Sequence, residues 1–326
     1  MPDKPYHHLA DGRFRNPQES VPVEPPGFGT MLPFWWGMVL AGFQTQQVPE
    51  GHVLPSDEVQ AGLARHHNAD SLTWLGHAAF LLRIGGATVL TDPYLSDHAG
   101  PFNRFGPKRY VPPALTPATL PPIDILTVSH NHYDHLDLAA LDAMPNKSRI
   151  SVIVPLGLGV YFTDLGYTDV TELDWYQSIE KKGVTVTATP AIHFSRRGLF
   201  DGNRTLWAGF AYKAGGKNLF FSGDTTIGPV FREIGEKLGP FDLGLIGIGA
   251  YEPQSIMRGS HTTPEQAAEI GRTVRAKRMI GMHWGTVRLS EEPQFEAAER
   301  LLKEATIVGY GPDEAGVMKI GETRAF

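Results

Sequence analysis

The stretch Ser129-His130-Asn131-His132-Tyr133-Asp134-His135-Leu136 sets four ligand-type side chains within six positions. In extended backbone, residues two apart point the same way, so the imidazoles of His130 and His132 can reach one ion. Asp134 and His135 follow on a turn and can face a second. Neutral imidazole and carboxylate suit divalent metals, and hydrolases with paired metals hold them about 3.5–4 Å apart. Immediately upstream, the apolar run 123–128 reads as a buried strand, which places the cluster at a strand end.

The same arrangement recurs outward from this point. Asp92 follows Val89-Leu90-Thr91, His193 follows Thr187-Ala188-Thr189, Asp224 follows Phe220-Phe221-Ser222, and His283 follows Ile280-Gly281-Met282. Strands of one sheet end along an edge, so groups at those ends can converge, and loops on a rigid scaffold are where chemistry concentrates. Taken singly, His193 also reads as a half-buried histidine, Asp224 as a turn aspartate and His283 as a packing partner of Trp284. Their shared position, and the unmet ligand demand of 130–135, join them to one site. His7-His8 and His66-His67 lack strand context and carboxylate company, and read as surface residues.

Short apolar runs at 71–75, 78–84 and 87–91 read as strands, the last two joined at Gly85-Gly86 by a hairpin. Strands are expected again at 150–154, 184–189, 206–212, 218–222, 243–248 and 278–282. Helices at 229–238, 264–276 and 293–304 each open near a proline. Strand groups with helices interspersed in both halves predict an α/β layered sandwich. The Pro- and Gly-rich stretch 22–33 reads as an extended lead-in.

The 326 residues can bury a large core, and 41% apolar with 20% charged residues is a folded composition. A net charge of −6 argues against nucleic acid as a partner, because phosphate binding needs a concentrated basic face. Arg104, Lys108 and Arg109 gather locally and read either as a solvated loop or as contacts to an anionic headgroup. The absence of cysteine removes disulfides, thiolate nucleophiles and sulfur-ligated zinc, while 13 histidines remain as donors. It also fits a cytoplasmic protein. Neither a signal peptide nor a transmembrane helix is expected. The apolar segment 31–43, with Phe34, Trp35 and Trp36, falls short of the roughly 20 residues that cross a bilayer. It reads first as a strap packed across the domain. A peripheral membrane contact or a homodimer interface are the alternatives.

With its His-x-His-x-Asp-His run, the chain resembles the metallo-β-lactamase superfamily. Further motifs narrow the likeness: Trp74-Leu-Gly-His-Ala78, Thr91-Asp-Pro93, Gly106-Pro-Lys-Arg109, Glu172-Leu-Asp-Trp175, Gly223-Asp-Thr225, Ile248-Gly-Ala-Tyr-Glu-Pro253 and His283-Trp-Gly-Thr286. With Gly12-Arg-Phe-Arg-Asn-Pro17, these are similar to the subgroup of N-acylphosphatidylethanolamine-hydrolysing phospholipases D.

The resemblance implies an αββα sandwich over 71–326, with 1–70 as an N-terminal extension packed on it. It further implies two divalent ions, zinc first, with manganese or iron able to use the same donors. His130, His132 and His193 would hold one ion and Asp134, His135 and His283 the other, with Asp224 bridging. A hydroxide between the ions, oriented by Asp134 and Asp224, would attack phosphorus in a phospholipid or another phosphodiester. His77 and Asp92 are expected to orient ligands from behind, and His261 and Arg109 to face substrate. The same fold also accommodates a lactone or β-lactam hydrolase, or a non-enzymatic metal-binding or membrane adapter protein.

Overall fold

The computed structural model describes residues 5–20, 27–42 and 44–326. Two seven-stranded sheets face each other. The first contains β1 (Ser71–Gly76), β2 (Ala79–Ile84), β3 (Ala87–Thr91), β4 (Ile125–Thr127), β5 (Ser151–Pro155), β6 (Asp169–Leu173) and, at its edge beside β1, β14 (Thr323–Ala325). The second contains β7 (Ser178–Lys181), β8 (Val184–Thr189), β9 (Gly209–Ala214), β10 (Lys217–Phe221), β11 (Leu243–Gly247), β12 (Met279–Met282) and β13 (Ala315–Gly316). Each sheet starts as an antiparallel meander and continues in parallel, from β3 to β6 and from β10 to β13.

Both faces of the central strands are buried, which is why they read as unbroken apolar runs. On β2, Phe80 and Leu82 enter the core between the sheets with Trp74, Phe210, Tyr212 and Phe221. Leu81 points the other way and joins Leu126 and Val152 under Val59 of α2 (Ser56–Arg65), Leu141 of α3 (Leu138–Asp142) and Phe162 of α4 (Gly159–Asp164). The second sheet is covered by Phe231 and Ile234 of α5 (Val230–Lys237), Ala267 and Ile270 of α7 (Pro264–Thr273), and Leu301 of α8 (Glu296–Ile307). A four-residue turn of helix, α6 (Gln254–Met257), precedes α7. The layers are therefore helix, sheet, sheet, helix: the αββα sandwich.

Two expectations fail at the N-terminal side. The stretch 22–33 is not extended where it is described: α1 (Phe28–Ala41) runs through Pro33. Residues 22–26 lie outside the described residues. Proline removes one helical hydrogen bond, but Met31, Leu32, Met38 and Leu40 are good helix formers on either side. Nor does α1 form a packed strap. Only Ala41 is buried, while Trp35 and Trp36 are 63% and 64% exposed; Phe43 is outside the described residues.

Candidate metal centre

The ligand-type residues sit just past strand ends on one rim of the sandwich: His77 after β1, Asp92 after β3, His130 after β4, Asp224 after β10 and His283 after β12. Three of them are held at positive φ, His77 at 55°, Asp92 at 33° and His283 at 63°. Such backbone costs about 1–3 kcal/mol per residue and persists where surroundings over-determine it, often at functional sites. The turn into Asp224 needs Gly223, at φ 57°, because a Cβ there would stand 2.7 Å from the Ala208 carbonyl oxygen.

Two groups of donors result. In one, His132 Nδ1 lies 2.9 Å from His130 Nε2 and 3.2 Å from His193 Nε2. In the other, Asp134 Oδ2 is 3.4 Å from both His135 Nε2 and His283 Nε2, and 2.9 Å from His77 Nε2. Asp224 faces both: its Oδ2 is 3.1 Å from His135 Nε2 and His283 Nε2, and 3.9 Å from His130 Nε2 and His193 Nε2. His130, Asp134, His135, His193, Asp224 and His283 are buried, and His132 is half-buried.

The outer hydrogen bonds decide which nitrogen faces inward. His135 donates from Nδ1 to Asp92 Oδ2 at 2.6 Å, and His193 donates from Nδ1 to the Ser260 carbonyl at 2.9 Å. In the neutral imidazole each Nε2 then carries a lone pair. The His135 lone pair is aimed at two carboxylates and the His193 lone pair at another imidazole. Such an array repels itself unless a cation sits among the lone pairs. Consistently, His135 Nε2, Asp224 Oδ1 and both ring nitrogens of His283 are buried without a hydrogen-bond partner. These residues fit a metal.

Left to themselves, the side chains divide by charge. Burial, then neighbouring histidines, hold His130 well below the usual imidazole range. Burial also dominates at His193, held well below that range, and at His132, lowered to about 4. Burial opposes charge on His135 and His283 too, but the nearby carboxylates, Asp224 first, outweigh it: His135 rises well above its ordinary value and His283 to about 9. Asp134 and Asp224 remain far below the carboxylate range, burial being overcome by His135 above all. Both carboxylates are thus ionised donors.

Behind the ligands, Asp92 accepts from the Ser129 amide (2.7 Å), the Ser129 hydroxyl (2.5 Å) and His135, and the Ser129 hydroxyl also contacts His130 Nδ1 at 2.9 Å. His77 Nε2 meets Asp134, so each of the two residues expected behind the site touches a candidate donor. His261 stands on the open side, its Nδ1 3.9 Å from Asp224 Oδ2 and its side chain 16% exposed.

Arg109 has a different placement from the one expected. It is buried, donating to the carbonyls of Tyr94 (2.7 Å) and Val111 (3.0 Å) and so tying loops together, while Arg104 and Lys108 stay exposed. His7 and His8 are not free surface residues either. Both rings bind the Asp174 carboxylate, at 2.5 and 2.8 Å, and His7 stacks on Trp175 at 4.1 Å. Their carboxylate partner comes from 167 and 166 positions away, which no local pattern reveals. Sequence reasoning also missed Arg197, which donates to the carbonyls of Asn131 (3.0 Å) and Leu136 (2.8 Å) and so bolts the 130–135 loop to the loop after His193.

The chain matches the Beta-lactamase superfamily domain over residues 87–284. Over 243 residues it is 43% identical to N-acyl-phosphatidylethanolamine-hydrolyzing phospholipase D 1 of Caenorhabditis elegans, covering 71% of this chain and 68% of that protein. It is 35% identical over 261 residues to the mitochondrial N-acyl-phosphatidylethanolamine-hydrolyzing phospholipase D of Saccharomyces cerevisiae, covering 78% of this chain but only 55% of the yeast protein. Among solved structures, an isothiocyanate hydrolase from Delia radicum gut bacteria aligns with a TM-score of 0.62 at 18% identity, over 78% of this chain and 99% of that one. At that identity the likeness speaks for the fold alone.

Proposed function

The chain belongs to the β-lactamase superfamily and is a metal-dependent hydrolase of that fold, and from this premise we propose a two-metal phosphodiesterase of phospholipase D type. Its substrate would be an N-acylphosphatidylethanolamine-like glycerophospholipid, cleaved to a phosphatidic acid and an N-acylethanolamine. The observation that carries the two-metal reading is Asp224, whose single Oδ2 faces donors of both groups. The phosphodiester reading is supported by what the nematode and yeast relatives are named for.

In this proposal His130, His132 and His193 hold one ion, Asp134, His135 and His283 the other, and Asp224 lies between. Bound zinc would supply water acidified toward neutrality and positive charge for the phosphoryl oxygens. The chain's own residues do the rest. Asp92 keeps the His135 proton on Nδ1, Ser129 braces His130, and His77 steadies Asp134. Asp134 and Asp224, ionised, would orient the attacking water, and His261, partly exposed beside Asp224, would meet substrate.

The lipid itself would be met by α1. Phe28, Leu32, Trp35, Trp36, Val39 and Leu40 are each at least half exposed there, and tryptophan favours the headgroup level of a bilayer. Among the described residues no helix is long and apolar enough to cross a membrane, so contact would be peripheral. The test is 31P NMR of N-acylphosphatidylethanolamine vesicles with zinc-loaded protein, run beside lactones and β-lactams. A phosphate monoester resonance supports the proposal. Turnover of a carbonyl substrate with no change in the phosphorus spectrum would overturn it.

A further inference from the structure

The N-terminal residues 5–20 contain a short hairpin, closed by the bridge between His8 and Phe14 and by Leu9 N–H donating to the Arg13 carbonyl. Its rings dock on Asp174 and Trp175 as described above. Trp175 in turn donates from its indole to the Trp207 carbonyl at 2.7 Å. At the far end of the hairpin, Asn16 reaches the metal centre. Its Oδ1 accepts from the backbone amide of His193 at 2.9 Å and from the Trp207 indole at 3.1 Å. A second tie, the Phe14 amide to the Asn203 carbonyl at 2.8 Å, joins the hairpin to the loop that follows His193.

His193 follows β8 by four residues and has no strand to hold its backbone. Its neighbour Ile192 donates to Thr225 Oγ1 at 2.9 Å, and its ring is oriented by Ser260. The amide of His193 itself is satisfied by a side chain 177 positions away. A buried amide needs an acceptor, so this contact fixes the height at which the His193 ring enters the donor group. We infer that Asn16 is a positioning residue for His193, and that the hairpin 5–16 is thereby a working part of the metal centre. This inference rests on the reading of His193 as a ligand.

Groups that orient ligands from behind are worth about 10- to 100-fold in metal affinity when removed. The test is zinc affinity of the full chain, by competition with a chromophoric chelator, for wild type, Asn16→Ala and Asn16→Asp. The d–d spectrum of the cobalt-substituted proteins reports the coordination geometry independently of any activity. Asn16→Ala should lose about 10- to 100-fold at one site and alter the cobalt bands. Asn16→Asp, which keeps an acceptor at the same place, should restore both.

Unchanged affinity and spectrum in Asn16→Ala would overturn the inference. Equal loss in both variants would overturn it as well, because packing and not the accepted hydrogen bond would then be at work. Should Asn16→Ala not fold, Asn16→Ser, whose hydroxyl is too short to span the gap, gives the same reading. His193→Ala is the reference: if it binds zinc as wild type does, the ligand assignment fails, whatever Asn16 does.

Discussion

Asp92→Asn is the most informative single change behind the ligands. The native carboxylate accepts three donors at once: the Ser129 amide, the Ser129 hydroxyl and His135 Nδ1–H. An asparagine has one acceptor oxygen, so whichever way the amide is turned its NH2 confronts a donor. If the oxygen stays on Ser129 N–H, the NH2 faces His135 Nδ1. The imidazole can relieve that clash by moving its proton to Nε2, which then points at Asp224 and Asp134 and can no longer ligate.

Holding the productive tautomer in that case costs metal-binding energy. Losses from partners of this kind run to about 10- to 100-fold, equivalent to roughly 1.4–2.7 kcal/mol. Asp92 is fully buried, so solvent does little to soften the effect. Zinc affinity measured against a chromophoric chelator at pH 7.5 should fall by that factor in Asp92→Asn, with the metal-free protein still folded by circular dichroism. Affinity within about twofold of wild type would refute the tautomer argument.

Two further outcomes follow from the same geometry. In the chelator-treated protein His283 keeps its proton up to about pH 9, against an ordinary value near 6.5. Its contribution to stability is therefore complete below pH 6.5 and lost as pH rises through 9, while His130, His132 and His193, neutral when folded, shed their unfolded-state protons near pH 6.5 and add no slope well above it. The melting temperature of the metal-free protein should fall from about one unit above the ordinary histidine value up to pH 9, and zinc affinity should rise as proton competition fades; a flat profile in both would contradict this. On α1, Trp35→Ser with Trp36→Ser should weaken binding to phospholipid vesicles by about tenfold or more, given the apolar area two indoles withdraw from water. Unchanged vesicle binding, with a loss of self-association in sedimentation, would assign the face to a second copy of the chain instead.

The strands that carry the site were legible because each is buried on both faces and ends in a polar ligand-type residue: Asp92, His130, Asp224 and His283 all stand where the runs predict. The αββα layering followed from strand groups with interspersed helices and from the resemblance. Partners set by tertiary approach were not legible. Asp174 holding His7 and His8, Arg197 spanning two loops, and Asn16 under His193 each join residues more than sixty positions apart. The one signal for Asn16 was its place in Gly12-Arg-Phe-Arg-Asn-Pro17, a motif whose function the sequence alone did not explain. Arg109 was grouped with Arg104 and Lys108 and expected to face substrate, yet its guanidinium turns inward to carbonyls of Tyr94 and Val111. The α1 helix was obscured by Pro33 and the glycines around it.

The proposed centre is a pair of ions sharing Asp224, and the metal content of the reconstituted protein distinguishes two ions from one. Elemental analysis after zinc loading and removal of excess should give two ions per chain in the wild type. A ratio of one ion or none would contradict the two-metal centre.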